Sequence, residues 1–266
     1  MSTSNYQLPI WYHRLAPHLK SGGVVLPWTF DEDISDLDET SQDETSAYDG
    51  PGAVYFHQLK EKREERKQEL QKRKDFVQKQ KEVNREEEEE KVKEVQLAYG
   101  ALECSMSMGN VTELGSLDTT FELYSLDYFD HLYDPSPAGC RKKYLRLENV
   151  DGDERRNNNI LKGVLWLNPD VGSETTPFYP PIRPSLKHYR LDTVDGRFSL
   201  ILQFIDRNYL TLRLSRDLVF MNSLQDATGL ETFLFGGIRN DWGKKLQEYA
   251  KSLSGSGFEF SCNPTT

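Results

Sequence analysis

The sequence has little cysteine and no long apolar run. Its 3 cysteines, Cys104, Cys140 and Cys262, stand alone among 266 residues. There is no CxxC and no His–Cys cluster, so neither a disulfide framework nor a zinc site is indicated, and a reducing compartment, cytoplasm or nucleus, is expected. No apolar stretch approaches the ~20 residues that a membrane-spanning helix needs. The N-terminus has no positive segment leading into an apolar one, so no signal peptide is expected. Excess positive charge is missing too. Lys and Arg total 33 against 43 Asp and Glu, a net charge of −10, which disfavours non-specific binding to nucleic acid by the whole chain. The phosphate-cradling patterns GxxxxGK[ST] and GxGxxG, the GxSxG elbow and HExxH are all absent. No cofactor is expected, and the sequence points away from an enzyme.

What the chain does have is a proline-free middle saturated with charge. From Lys60 to Glu94 there are 13 Lys or Arg and 12 Asp or Glu in 35 residues. The types are strong helix formers. Acids precede bases at i,i+4 in Glu69/Arg73, Asp75/Lys79, Glu87/Lys91 and Glu89/Lys93, each pair contributing ~0.2–0.5 kcal/mol to a helix. The apolar residues Leu59, Leu70, Phe76, Val77 and Val83 are too irregular for a heptad seam. A free-standing helix over residues 54–104 is therefore expected, with a weak coiled coil as the alternative. Val92, Val95, Tyr99 and Leu102 make one apolar face, so this end should dock on the C-terminal domain while the other end projects.

Residues 1–53 read as a disordered arm. Pro9, Pro17 and Pro27 with Gly22-Gly23 oppose a long regular element. Trp11, Tyr12, Leu15 and Trp28 are candidates either for packing on the arm's own domain or for docking on a partner, where Trp and Tyr dominate binding energy. Residues 31–49 are acidic and rich in Ser and Thr, a composition that cannot offset ordering entropy. Ser35, Thr40, Ser41 and Ser46 each have an acid three residues on, which resembles substrates of acidophilic, casein-kinase-type kinases.

Residues 105–266 read as an α+β domain: an antiparallel β-meander with a C-terminal packing helix. Phe198, Leu200, Leu202 and Phe204 alternate on one strand and Leu210, Leu212 and Leu214 on the next, around the turn Asp206-Arg207-Asn208. Leu186–Leu191 is a third strand, joined through Val194-Asp195-Gly196. Tyr144–Leu147 and Gly163–Leu167 are further short strands, and Leu218–Met221 is a candidate addition to the meander. Ser105–Thr120 reads as a loop and Gly236-Gly237 as a turn. Asn240 or Asp241 caps a helix with Trp242, Leu246, Tyr249 and Leu253 on its apolar face.

Two clusters bear on chemistry. Asp127, Asp130, His131 and Asp134 have helical spacing and ligand chemistry for a divalent metal, although an amphipathic helix explains them as well. Arg190, Arg197, Tyr209 and Arg213, with Lys187, Tyr189 and Arg216, would make an Arg–aromatic sheet face suited to an acidic peptide or single-stranded nucleic acid. The function expected is that of a non-enzymatic scaffold subunit: a globular domain and a docking arm set apart by a charged helix, binding one or more proteins. A nucleic-acid-associated factor and a metal-dependent enzyme are the alternatives.

Overall fold

The computed structural model describes residues 8–34, 48–135, 142–150, 160–221 and 230–240. Its contacts divide the chain into two units, Met1–Gln80 and Lys81–Thr266. One 55-residue helix, α2 (Ala53–Ser107), contributes to both.

In the first unit, helix α1 (Ile10–Lys20) and a 3₁₀ turn (Pro27–Phe30) form a small core with the start of α2. Among the arm's described residues, Ile10–Lys20 is thus helical where disorder was expected. Pro17 lies inside α1 and does not end it. A helical proline leaves the carbonyl four residues back without its donor. Here that residue is His13, on the exposed side, where water can bond it. On the opposite side Trp11, Tyr12, Leu15 and Ala16 are buried with Phe30, Tyr48, Phe56 and Leu59. Trp11 stacks on Phe56 at 5.5 Å, and the rings of Tyr12 and Tyr48 meet Phe56 edge-on at 5.6 and 5.4 Å. Polar contacts fix the rest. Lys62 donates to the Val25 carbonyl at 3.0 Å, and Arg66 holds the Asp31 carboxylate through two 2.8 Å hydrogen bonds.

Ion pairing alone therefore does not hold α2. Its first turns are packed against α1, where a projecting end was expected. From Gln71 to Gln80 the helix is largely solvated, with Gln71 bonding Asp75 at 2.7 Å. Of the four acid-first pairs, Glu89–Lys93 forms at 2.8 Å. Glu69 is taken by Arg66 and Lys91 by Glu94. The C-terminal end docks as its apolar spacing implies: Val95 and Leu102 are buried with Ile205, beside Tyr209 and Ile238.

The second unit is an eight-stranded antiparallel sheet, the α+β architecture expected. Its strands are β1 (Thr119–Tyr124), β2 (Tyr144–Asn149), β3 (Leu161–Asn168), β4 (Val171–Glu174), β5 (Tyr189–Asp192), β6 (Ser199–Phe204), β7 (Tyr209–Ser215) and β8 (Thr232–Arg239). The order is β4-β3-β2-β1-β8-β7-β6-β5. Two meanders, β1–β4 and β5–β8, join along β1 and β8. The sheet curls until its outer strands approach: Thr175 bridges Thr193, and Thr176 N and Val194 N donate to the carbonyls of Asp192 and Glu174 at 2.9 Å each. Every strand sends alternate residues inward. Phe121, Leu123, Leu145, Leu147, Leu165, Leu200, Leu202, Leu210, Leu212, Phe233 and Phe235 fill the interior. Eight strands enclose a space that side chains just fill. The described residues of the unit also include two short helices, α3 (Leu126–Leu132) and α4 (Arg216–Val219). Leu218–Met221 is thus not a strand: the chain turns into α4, burying Leu218 and Val219. The expected C-terminal helix lies outside the described residues, as do Ser35, Thr40, Ser41 and Ser46.

Gly236-Gly237 is not a turn but the middle of β8, paired with Thr211 and Leu210 on one side and with Tyr124 and Leu123 on the other. A Cβ on Gly236 would stand 3.0 Å from Val95 Cγ2, and one on Gly237 2.5 Å from Leu210 Cδ1. The first glycine lets α2 lie close on the outer face, and the second makes room for an interior leucine. Gly237→Ala should cost about 1–3 kcal/mol by overpacking, read as a lower urea midpoint with an unchanged slope.

Candidate functional site

With the interior filled, what this unit can do lies on its outside. Cross-strand register settles what the outer face of β5–β8 presents. Arg190 pairs with Ile201, Ile201 with Arg213, and Arg213 with Leu234, giving a row of four residues across four strands. All four are exposed, Ile201 by 38% and Leu234 by 48%. The flanking row is polar, with Asp192 opposite Ser199 and Ser215 opposite Thr232. Arg190 lies 3.3 Å from Asp192, a solvent-exposed pair. Arg213 has no ion-pair partner among the described residues.

Of the residues expected on this face, Arg190 and Arg213 are brought together. Arg197 is not: it is exposed after β5, its guanidinium 5.2 Å from the Phe198 ring centre. The aromatics are withdrawn from the arginines. Tyr189 falls on the inward side of β5, against Phe204. Tyr209 lies beside the Val95–Leu102 contact of α2, and its hydroxyl donates to Glu94 at 2.8 Å. The stacking platform for nucleic-acid bases is therefore not assembled. Sequence pattern does not single out Ile201 and Leu234. Ile201 lies one residue out of phase in a leucine-rich strand, and Leu234 stands close to two glycines that read as a turn.

The Glu94 bond has a pH consequence. It raises the Tyr209 hydroxyl, with help from burial, to about 12 from 10.0. Burial pushes the Glu94 carboxyl up, but hydrogen bonds from Lys91 and Tyr209 outweigh it and hold it below its ordinary value. A tyrosine whose folded-state value is raised gives stability that is complete below its unfolded value and lost as pH rises through the folded one. The urea midpoint should therefore fall between pH ~10 and ~12, and fall less steeply in Tyr209→Phe.

A cleft of about 660 Å³ lies among α2, α3 and the ends of β1–β3, lined by Glu88, Tyr124, Tyr128, Lys143 and Asn168 among others. Its polar groups are turned on one another. Buried Glu88 accepts from Ser125 N at 2.5 Å and pairs with Lys143 at 3.0 Å. Glu122 accepts from Tyr124 at 2.9 Å and from Lys142 and Asn240 at 2.6 Å each. Burial, then the Glu122 bond, pushes the Tyr124 hydroxyl up. The Glu88 contacts clamp α2 to the ends of β1 and β2. Ser125 also accepts from Tyr128 N at 3.3 Å, capping α3.

The candidate metal residues do not converge. Asp127, Asp130, His131 and Asp134 are exposed. Asp130 is held by Arg85 at 3.0 Å, and His131 Nδ1 lies 2.7 Å from the Asp127 carbonyl oxygen. Among the described residues no three His, Cys, Asp or Glu side chains gather as a metal site, and no helix is long and apolar enough to cross a membrane.

In the first unit, Trp11, Tyr12 and Leu15 are consumed by the unit's own core, while Trp28 is 61% exposed, and Val24 and Leu26 are exposed too. Compared with family models, with curated proteins and with solved structures, the chain matches none of them.

Proposed function

We propose that the protein is a non-enzymatic interaction subunit whose outer β5–β8 face docks on another protein, in the cytoplasm or nucleus. The observation that carries this is the row Arg190–Ile201–Arg213–Leu234, two arginines and two large aliphatic side chains together on an exposed sheet face. Single exposed apolar residues are ordinary, but apolar residues set among arginines mark interfaces. Trp28 offers the first unit a second anchor of the type that dominates binding energy.

Affinity purification of the full chain against Ile201→Glu/Leu234→Glu tests the reading. Both substitutions fall on exposed positions, so the variant should melt with the parent. Loss of a reproducible set of co-purifying proteins is expected. Identical sets from parent and variant would remove the face from the function.

A further inference from the structure

The connection from β4 to β5, residues 175–188, contains Pro177, Pro180, Pro181 and Pro184. It is tied down on both sides of its middle. Phe178 exchanges two backbone hydrogen bonds with Leu161, at 2.8 and 2.9 Å, and Leu114 N donates to the Ile182 carbonyl at 2.9 Å. The buried Gln203 donates to the Ser185 carbonyl at 3.2 Å, and Pro184 is itself buried. Between these ties Tyr179 is 73% and Ile182 71% exposed, with Pro180 and Pro181 partly exposed. A proline fixes its own φ and confines the residue before it to extended backbone. Both rules act on Tyr179-Pro180-Pro181, whose X–Pro bonds are trans. That stretch is confined to polyproline II geometry, three residues per turn, which sets Tyr179 and Ile182 one turn or about 9 Å apart. The chain bends beyond it, at Ile182 and Arg183. Stiffness accounts for the prolines, but not for a tyrosine and an isoleucine left in water at both ends of the turn.

We infer that residues 179–183 are the ligand for a partner's polyproline-binding groove, with aromatic walls on the Pro180 and Pro181 rings and an acidic rim at Arg183. The chemistry of the stretch selects this partner. Pro180 and Pro181 have no N–H, so no strand can add along them, and neither suits a helix interior. What they offer is carbonyls and ring faces, which aromatic-lined grooves take. The stretch is ordered before it binds, so little freedom is lost on docking. Charge selects the rim. The Arg183 side chain is 67% exposed, and its 4.0 Å contact with the equally exposed Glu113 is weak and easily exchanged. None of these residues belongs to the β5–β8 row, so the two surfaces stand or fall separately.

The test titrates the full chain into a panel of labelled SH3, WW and EVH1 domains, whose grooves are of this kind, and reads binding by fluorescence anisotropy. At least one domain should bind. Pro180→Ala/Pro181→Ala should weaken that binding at least tenfold, and so should Tyr179→Ala/Ile182→Ala, which keeps the prolines and changes only exposed side chains. Arg183→Glu should weaken it too, more at low salt than at high. Ile201→Glu/Leu234→Glu should bind as the parent does. Urea melts of all variants confirm that the fold is retained. No binding by any domain, binding that survives either double variant of the proline stretch, or binding lost in Ile201→Glu/Leu234→Glu overturns the inference. The β5–β8 docking face is judged by its own co-purification result.

Discussion

Phe56→Ala is expected to unfold the first unit. Phe56 is fully buried at the meeting point of Trp11, Tyr12 and Tyr48. Truncating a core phenylalanine costs about 3–5 kcal/mol, part lost transfer energy and part cavity. This core is small, with few apolar residues outside the cluster to absorb the loss, and small units have little stability to spare. Hydrogen exchange should show the amides of α1 losing protection. Those of β6 and β7 should keep theirs, because the sheet's core, Leu114 to Phe235, contains none of the residues around Phe56. Trp11 fluorescence should shift red as its ring becomes exposed. If α1 keeps its protection, the core does not depend on this ring.

The same residues show which parts of the fold were legible in sequence. Strands β6 and β7 were plain because both carry large apolar residues at every second position and a polar turn joins them, so period 2 and turn chemistry agree. The docked end of α2 was legible for the parallel reason at period 3.6. Its other end was not. Phe56 and Leu59 sit in a short apolar patch, residues 53–59, at the start of a charged run, and Trp11, Tyr12 and Leu15, which close the core on them, lie about forty residues upstream beyond an acidic tract. Local pattern carries no information about that closure. Strand β8 was hidden by composition: two glycines that punctuate most sequences here serve close approach, by Val95 on one face and by Leu210 on the other. That requirement is visible only once both neighbours are in place. The arginines of the docking face were legible as residues, but their alignment with Ile201 and Leu234 is a property of register across three strand pairs.

Lys143→Met should destabilise the second unit by about 3–5 kcal/mol, the cost of leaving a buried charge without its partner. Glu88 projects from α2 into the cleft wall with its side chain 9% exposed and that of Lys143 14% exposed, so solvent does little to screen either. The lysine also lies 5.4 Å from the Tyr128 ring centre, a cation–π contact that methionine cannot replace. The loss should fall on the seam where α2 meets the start of α3, because Glu88 is also the acceptor for Ser125 N–H, and Ser125 in turn caps α3. Adding Glu88→Gln should recover most of the loss. The amide oxygen still accepts from Ser125, and no unpaired charge remains. Replacing a buried pair by neutral groups is often close to neutral. Urea melts of the single and double variants give the coupling energy directly. A double variant no more stable than Lys143→Met would show that packing of the lysine stem, not the ion pair, holds α2 at this position.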